Sequence, residues 1–285
     1  MFVAILTKGN RSEGLRQDVR QFITHRVGLA VSCAGDYHAR KQTKRSEKLM
    51  YALILAGGRG ERLRPLTDSV AKPMVRVNGE PILWYQVRQL QRAGVTDIVL
   101  LCGYLWETIR EFCGNGSELG VHMHYSKEET PLGRGGALKQ GLGMVPGSER
   151  VVLALNGDII TAQDFAPLLR LHQKSGALAT IMLVPYPSAY GVVEVEDDGK
   201  VVAFKEKGEL PHWINAGIYV LDTRIGDELP ALGDHETTTF PRLAARGQLY
   251  AYRSRAFWKA IDNHKDIREA EEALRQDGGT GEMSF

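Results

Sequence analysis

The sequence predicts an α/β protein in which helices cover both faces of a parallel sheet, followed by a second, more antiparallel lobe. Two patterns predict this fold class. From Met50 to residue 156, short aliphatic runs alternate with amphipathic stretches at the spacing of βα units. Past residue 176, strand-like runs follow one another directly. The composition, 43% hydrophobic and 25% charged over 285 residues, is ordinary for a folded chain with a full core.

The alternating part contains predicted strands at YALIL, TDIVLL, VHMHY and VVLAL. The helices predicted between them are ILWYQVRQLQRAG, LWETIREFC and GALKQGLGMV. In the first helix, five apolar residues gather on one face, and Gly94 supplies a stop; the five are Ile82, Leu83, Tyr85, Val87 and Leu90. Because βα units place helices on both faces of a parallel sheet, we expect these apolar residues in the core.

The second part is predicted to be rich in antiparallel strands, at LATIMLVP, YGVVEVED, GKVVAFKEK and HWINAGIYVL. The DDG at 197–199 predicts a hairpin between the middle two. A helix around FPRLAARG, a strand at LYAYRS and a last amphipathic helix over HKDIREAEEALRQ complete the predicted elements.

Three regions are predicted along the chain: a flexible extension over 1–49, a main domain over 50–275 and a disordered tail over 276–285. The extension holds ten Lys/Arg against four Asp/Glu, whereas the remainder holds 26 against 30. Such a basic segment suits nucleic acid or an acidic surface, but it lacks aromatic interleaving and any recognisable module. We therefore expect no nucleic-acid partner, and interpret the segment as an extension from a start codon upstream of Met50.

A cytoplasmic protein without membrane contact is expected. No run approaches the roughly eighteen apolar residues of a membrane span, and the amino terminus lacks the pattern of a secretory signal. The cysteines, Cys33, Cys102 and Cys113, match neither a disulfide framework nor zinc-ligand spacing. They are interpreted as reduced packing residues. His122 and His124 share one face of a predicted strand, and without a third ligand nearby they are interpreted as structural.

The stretch LILAGGRGERLRPLTDSVAKP at 53–73 has the placement of a phosphate-binding turn, because glycines directly follow a buried strand. Glycines let backbone amides approach an anion closely. The stretch has neither the GxxxxGK[ST] of a P-loop nor the third glycine of a dinucleotide fingerprint. Arg62, Arg64 and Lys72 follow the glycines, so a triphosphate is the ligand that best matches the charge.

Asp158 follows the strand VVLAL, at the edge where parallel sheets usually bind ligands. A carboxylate there can hold Mg²⁺ against phosphates. An Asx turn or helix cap is the structural alternative, since NGD is also turn chemistry.

From about residue 50 to 275 the chain resembles the sugar-phosphate nucleotidyltransferases. LILAGGRGERLRPLTDSVAKPM is similar to the pattern GGxGTRLxPLTxxxPKP of that family. Further matches follow in the family's order at PLGRGGALK, NGD, YGVVEV, FKEKG and INAGIYVLD. Within the family, the chain is most similar to bacterial proteins of the mannose-1-phosphate guanylyltransferase type. The resemblance implies a Rossmann-like three-layer nucleotidyltransferase fold, with a mixed central sheet and a smaller antiparallel sugar-binding lobe.

The resemblance also implies an activity: Mg²⁺-dependent transfer of a nucleotidyl group from a nucleoside triphosphate to a sugar 1-phosphate, releasing pyrophosphate. GTP and mannose 1-phosphate or a similar sugar phosphate are the favoured partners. Because the nucleophile is already an anionic phosphate oxygen, catalysis rests on positioning and charge neutralisation. Alternatives are dTTP, UTP or CTP with another sugar or alcohol phosphate, or a non-catalytic regulatory homologue that binds a nucleotide sugar. The sequence leaves homo-oligomerisation open.

The site residues implied by the resemblance fall into three sets. Arg62 would hold the departing pyrophosphate, Lys72 would contact phosphates near the reacting centre, and Asp158 and Asp262 would hold the metal. The nucleotide-binding set is Leu55, Ala56, Gly57, Gly58, Gly60 and Gly133. The sugar-phosphate set is Gly191, Glu206, Lys207 and Asn215.

The chain departs from the family pattern at four places. Glu61 replaces a threonine, Ala71 replaces a proline, and Arg134 with Gly135 stands where Thr-Ala is common. Arg134 is predicted to alter nucleotide preference or to contact phosphate. In the late motif FWxDIG, Ala260 takes the position of the carboxylate. Asp262 lies two residues later, about 6.6 Å along a strand, and is still predicted to be the second metal ligand.

Overall fold

A computed structural model describes residues 51–188 and 190–277. The predicted extension over 1–49, Cys33 and residues 278–285 of the predicted tail lie outside the described residues. The strands are β1 (Tyr51–Ala56), β2 (Arg76–Val77), β3 (Glu80–Pro81), β4 (Asp97–Cys102), β5 (His122–Lys127), β6 (Val151–Asn156), β7 (Ile159–Thr161), β8 (Ala179–Pro187), β9 (Val192–Val195), β10 (Val201–Lys205), β11 (Glu209–Asp222), β12 (Leu249–Arg253) and β13 (Trp258–Ala260). The α-helices are α1 (Ile82–Arg92), α2 (Trp106–Cys113), α3 (Gly133–Leu142), α4 (Ala166–Ser175), α5 (Thr239–Ala245) and α6 (His264–Asp277).

The central sheet has seven strands in the order β12-β8-β11-β6-β1-β4-β5. β1 pairs in parallel with both β4 and β6, and β4 with β5, whereas β11 runs antiparallel to β6 and β8. The predicted mixed sheet is therefore confirmed. The parallel part follows from the βα spacing, because parallel neighbours need a crossover such as a helix between them.

The residues of β1 alternate between two apolar clusters, one on each face of the sheet. Ala52 and Ile54 pack in a cluster that includes Leu83 of α1. Leu53 packs on the opposite face, in a cluster that includes Leu138 of α3. A strand covered on both faces is apolar at nearly every position, which explains the continuous run YALILA.

The smaller lobe is a hairpin of β9 and β10, to which the long strands β8 and β11 lead. The turn predicted at DDG is present, with Gly199 at φ +87°. Sequence analysis placed LATIMLVP and HWINAGIYVL in the second lobe, but both are also members of the central sheet. β11 is long enough to belong to both: residues 218–222 pair with β6, and residues 209–215 and 219–221 pair with β8.

The thiols of Cys102 and Cys113 are free and buried. Burial raises the pKa of each to about 12, so both remain protonated at neutral pH. His122 and His124 share one carboxylate: Nε2 of His124 lies 2.9 Å from Oδ1 of Asp97, and Nδ1 of His122 lies 3.4 Å from it. Among the described helices, none combines the length and apolar character needed to cross a membrane.

Two buried histidines predict a loss of stability in mild acid. His172 is 3% exposed and His235 is fully buried, and desolvation lowers the pKa of each to about 4. In the unfolded chain the pKa is about 6.5. Between pH 6.5 and 4 the unfolded state therefore binds protons that the folded state does not bind. The free energy of unfolding should therefore fall across this window by on the order of 3 kcal/mol per histidine.

Urea unfolding at pH 7.5, 6 and 5 measures this effect. His172→Gln should flatten the pH dependence, whereas His212→Gln, at an exposed site, should leave it unchanged. Equal slopes for the parent and His172→Gln would contradict the assignment.

Candidate active site

A cleft of about 600 Å³ lies at the carboxyl ends of β1 and β6. Its walls come from the glycine turn after β1, from the start of α3 and from residues 156–158 after β6. Ligands bind at this end of parallel sheets because the strand ends and the turns that follow them converge there. Ten predicted site residues line the cleft: Leu55, Ala56, Gly57, Gly58, Gly60, Arg62, Lys72, Gly133, Asp158 and Asp262.

The glycine turn is shaped by two different constraints. A Cβ at Gly57 would lie 3.1 Å from Oε1 of Glu128, so this position allows the cleft wall to close tightly. Gly60 has φ +61°, and a Cβ there would lie 2.9 Å from Cγ2 of Thr67. By contrast, a Cβ at Gly58 would meet no atom within 4 Å. The turn thus presents backbone to open cleft space at Gly58, as a phosphate-binding turn requires.

Two cations and two carboxylates form the floor of the site. Nζ of Lys72 lies 2.6 Å from Oδ2 of Asp158 and 2.8 Å from Oδ1 of Asp262. Nη2 of Arg62 donates to the same Oδ1 of Asp262 at 2.9 Å. Burial would lower the pKa of Lys72, but the two carboxylates outweigh it and raise the pKa, so the ammonium stays charged. The four groups balance in charge.

A short pair of strands brings the two carboxylates together. β7 and β13 run antiparallel, with Ile159 opposite Ala260, and the N–H of Ile261 donates to the carbonyl of Asp158 at 2.8 Å. Asp158 and Asp262 therefore flank the same end of this ladder. Sequence analysis did not predict this pairing, because each strand has only three residues.

The carboxylate of Asp262 is not used to cap α6. Oδ1 of Asn263 accepts from the N–H of Lys265 at 2.9 Å, and Oδ2 of Asp266 accepts from the N–H of Asp262 at 3.0 Å. Asn263 and Asp266 thus provide the side-chain capping at the start of α6. The side chain of Asp262 faces the cleft instead.

The donor set fits a magnesium ion. Asp158 and Asp262 converge on one positive charge, at present the ammonium of Lys72, and carboxylate oxygens are the ligands that Mg²⁺ prefers. Among the described residues no cluster of three or more His, Cys, Asp or Glu could hold a metal. Two carboxylates are nevertheless a common magnesium set, because substrate phosphates and water complete the shell. Oδ1 of Asn156, in the same wall, is buried without a hydrogen-bond partner in the described structure.

The four residues predicted for the sugar phosphate lie apart from these cations, and none is among the described residues that line the cleft. Gly191 and Glu206 are neighbours beside the β9–β10 hairpin: a Cβ on Gly191 would lie 3.2 Å from Oε2 of Glu206. Lys207 follows β10 with φ +51°. Asn215 lies in β11 and donates from Nδ2 to Oε1 of Glu236 at 2.8 Å.

Sequence reasoning missed Glu128 and the two ion pairs of Arg134. Glu128 lines the cleft directly after β5, just as Asp158 follows β6, and that shared placement was the available signal. Arg134 was predicted to act on the nucleotide. In the structure its guanidinium pairs with Asp234 and Glu236, about a hundred residues away.

The fold and the cleft define an α/β protein with a glycine turn and cations at the carboxyl ends of parallel strands, where such proteins usually bind ligands. The chain belongs to the nucleotidyl transferase family, whose model matches residues 51–277. It is 38% identical to the mannose-1-phosphate guanylyltransferase catalytic subunit beta of Danio rerio over 225 residues, and 35% identical to the mannose-1-phosphate guanylyltransferase of Mycobacterium tuberculosis over 224. Each match covers 76% of this chain but 62% of the relative.

A solved structure has the same fold. HddC from Yersinia pseudotuberculosis superposes with a TM-score of 0.64 at 26% identity, covering 79% of this chain and 100% of that one. The predicted family and the predicted fold class are both confirmed.

Proposed function

We propose that this protein transfers a guanylyl group from GTP to mannose 1-phosphate or a closely similar sugar 1-phosphate, releasing pyrophosphate. One observation carries the proposal: Arg62, Lys72, Asp158 and Asp262 converge on one floor of the cleft, behind a glycine turn. The mannose-1-phosphate guanylyltransferases among its relatives support the choice of base and sugar.

The reaction needs no activated protein nucleophile. An oxygen of the sugar phosphate attacks the α-phosphorus of the triphosphate, the bond from that phosphorus to the β-phosphate oxygen breaks, and pyrophosphate leaves with the electron pair. Both reactants are anions, so the residues must hold them in line and offset their repulsion. Mg²⁺ bound by Asp158 and Asp262 would neutralise phosphate charge.

The cations have separate tasks in this proposal. The side chain of Arg62 is 74% exposed, at the outer side of the floor. Its guanidinium can therefore stay in contact with the β and γ phosphates as pyrophosphate departs. Lys72 is 15% exposed and lies deeper, between the carboxylates, where it can offset charge near the α-phosphorus. The amides of the glycine turn hold the nucleotide in register.

A pyrophosphate-release screen tests the proposal. GTP, ATP, CTP, UTP and dTTP are each combined with mannose 1-phosphate or glucose 1-phosphate, with Mg²⁺ present, and GTP with mannose 1-phosphate should react fastest. Arg62→Ala should lower turnover about 100-fold, because a charged hydrogen bond to the leaving group is lost. The melting temperature should stay unchanged, since Arg62 is largely exposed.

Arg64→Ala is the matched control, because Arg64 lies in the same loop and pairs with Asp68 outside the floor. It should react like the parent. The absence of pyrophosphate release from every pair would refute the proposal and favour a binding-only homologue. Preference for another triphosphate would refute the choice of base alone.

A further inference from the structure

The start of α3 is shaped to receive a distant loop. Three of its first four residues are glycines, and a Cβ on any of them would collide with the segment 230–235. On Gly133 it would lie 2.6 Å from the carbonyl oxygen of Gly233, and on Gly136 2.5 Å from that of Ala231. The N–H of Gly135 donates to the carbonyl of Gly233 at 2.9 Å. Gly135 stands where alanine is common in the family, and the close approach of this loop explains why no side chain fits there.

Arg134 is the side chain that this helical turn carries into the cleft wall. Its Nε donates to Oδ2 of Asp234 at 2.8 Å, and its Nη2 lies 2.6 Å from Oε2 of Glu236. The side chain remains 41% exposed and lines the cleft. An arginine in this fork geometry fixes the carboxylates that it pairs with.

Glu236 connects this arginine to Asn215 of β11, one of the residues predicted to bind the sugar phosphate. Its Oε1 accepts from Nδ2 of Asn215 at 2.8 Å and from the hydroxyl of Tyr219 at 2.7 Å. Oδ1 of Asn215 accepts in turn from the N–H of Gly217 at 2.9 Å. A continuous set of contacts therefore runs from the cleft wall to the amide of Asn215: an ion pair joins Arg134 to Glu236, and a hydrogen bond joins Glu236 to Asn215.

The charge of this cluster suits hydroxyl groups better than phosphate. Two carboxylates, Asp234 and Glu236, face one guanidinium, so the cluster keeps a net negative charge. Burial would raise the pKa of Asp234, but its hydrogen bonds with Glu236 and Arg134 lower it. An anionic cluster repels phosphate and accepts hydrogen bonds from a polyol. The cations Arg62 and Lys72 lie instead with Asp158 and Asp262 on the floor.

We propose that Arg134 is a positioning residue for the sugar: through Glu236 it fixes the amide of Asn215 that addresses the sugar hydroxyls. This inference rests on the proposed function and adds a specificity determinant to it. Without the guanidinium, Oε2 of Glu236 loses its ion-pair partner, and only Asn215 and Tyr219 hold the carboxylate, through Oε1. The orientation of Glu236, and with it that of the Asn215 amide, is then less tightly fixed. Discrimination between sugars should then weaken, whereas the affinity for the nucleotide should stay unchanged.

Ligand binding to the full chain tests this without requiring turnover. Titration calorimetry compares GDP-mannose with GDP, for the parent, Arg134→Met and Arg134→Lys. Arg134→Met should weaken GDP-mannose at least about tenfold and change GDP less than twofold, because a misoriented hydrogen-bonding pair forfeits roughly that factor. Arg134→Lys keeps the charge and should recover part of the loss.

Arg224→Met is the control, since Arg224 pairs with Asp222 through two nitrogens and lies outside the described cleft lining. Its binding of both ligands should match the parent. Weaker GDP binding by Arg134→Met, or unchanged GDP-mannose binding, would overturn the inference. So would a parent that binds GDP-mannose no tighter than GDP. The proposed function is judged separately, by turnover in the screen.

Discussion

Lys72→Met is expected to slow nucleotidyl transfer by about 10²- to 10³-fold and, at the same time, to make the free protein bind a divalent cation more tightly. The first effect is the usual result of removing a charge that stabilises the transition state. The second follows from the geometry: Nζ of Lys72 lies within 2.8 Å of both carboxylates that are proposed to hold the metal. A cation that enters between Asp158 and Asp262 must compete with the ammonium.

The competition is strong because the site is partly buried. Two unit charges about 4 Å apart interact by roughly 4 kcal/mol at an effective dielectric constant of 20. In the free protein, water solvates the ammonium once the metal displaces it and offsets part of this energy, so the net gain for the metal should be smaller, about tenfold in affinity. Methionine retains most of the length of the lysine stem and fills the same space.

Mn²⁺ binding followed by electron paramagnetic resonance measures the second effect without nucleotide. Lys259→Met is the matched control, because Lys259 is similarly shielded, at 24% exposure, and bridges Asp266 and Glu269 outside the cleft. It should leave Mn²⁺ affinity at the parental level. If Lys72→Met binds Mn²⁺ equally or less tightly, the two carboxylates are not the metal-binding pair.

Local patterns were enough to predict the elements that carry the glycine turn of the cleft. β1 and α1 are recognisable because every residue that defines them is a near neighbour in sequence, and the glycine turn follows β1 directly. The turn also lies in a long motif whose residue types match the family pattern in order. Its place in the cleft could therefore be predicted from the sequence alone.

Contacts between distant segments limited the rest. β7 and β13 are three-residue strands that become visible only as a pair about a hundred residues apart. Arg134 stood out as a departure from the family pattern, but its partners Asp234 and Glu236 lie in a loop without periodicity. Sequence alone therefore suggested an action on the nucleotide, whereas the contacts lead toward Asn215.

Missing information on distant contacts also explains why the sequence left the role of Asp262 as second carboxylate in question. Counted along a strand, Asp262 is displaced from Ala260 by about 6.6 Å, which argues against a shared role. In the structure β13 ends at Ala260, so residue 262 no longer follows strand geometry. The chain turns toward Asp158 there, and Lys72 contacts both side chains. A linear spacing rule does not apply across the end of a strand.

Asp262→Asn is accordingly expected to lower turnover by about 10²- to 10³-fold and to weaken Mn²⁺ binding at least about tenfold, as should Asp158→Asn. The amide keeps the shape of the side chain but removes the negative charge that a magnesium ion needs. Folding should be little affected, because the backbone N–H of Asp262, not its carboxylate, makes the bond to Asp266.

The measurements are steady-state turnover over a range of Mg²⁺ concentrations and Mn²⁺ titration of the free protein. Asp68→Asn is the control, since Asp68 is an exposed carboxylate in the neighbouring loop that pairs with Arg64. If Asp262→Asn keeps parental Mn²⁺ affinity while Asp158→Asn loses it, Asp262 serves only as the partner of Arg62 and Lys72. The metal would then depend on Asp158 and the substrate phosphates, and the change at position 260 would be a true loss of a ligand.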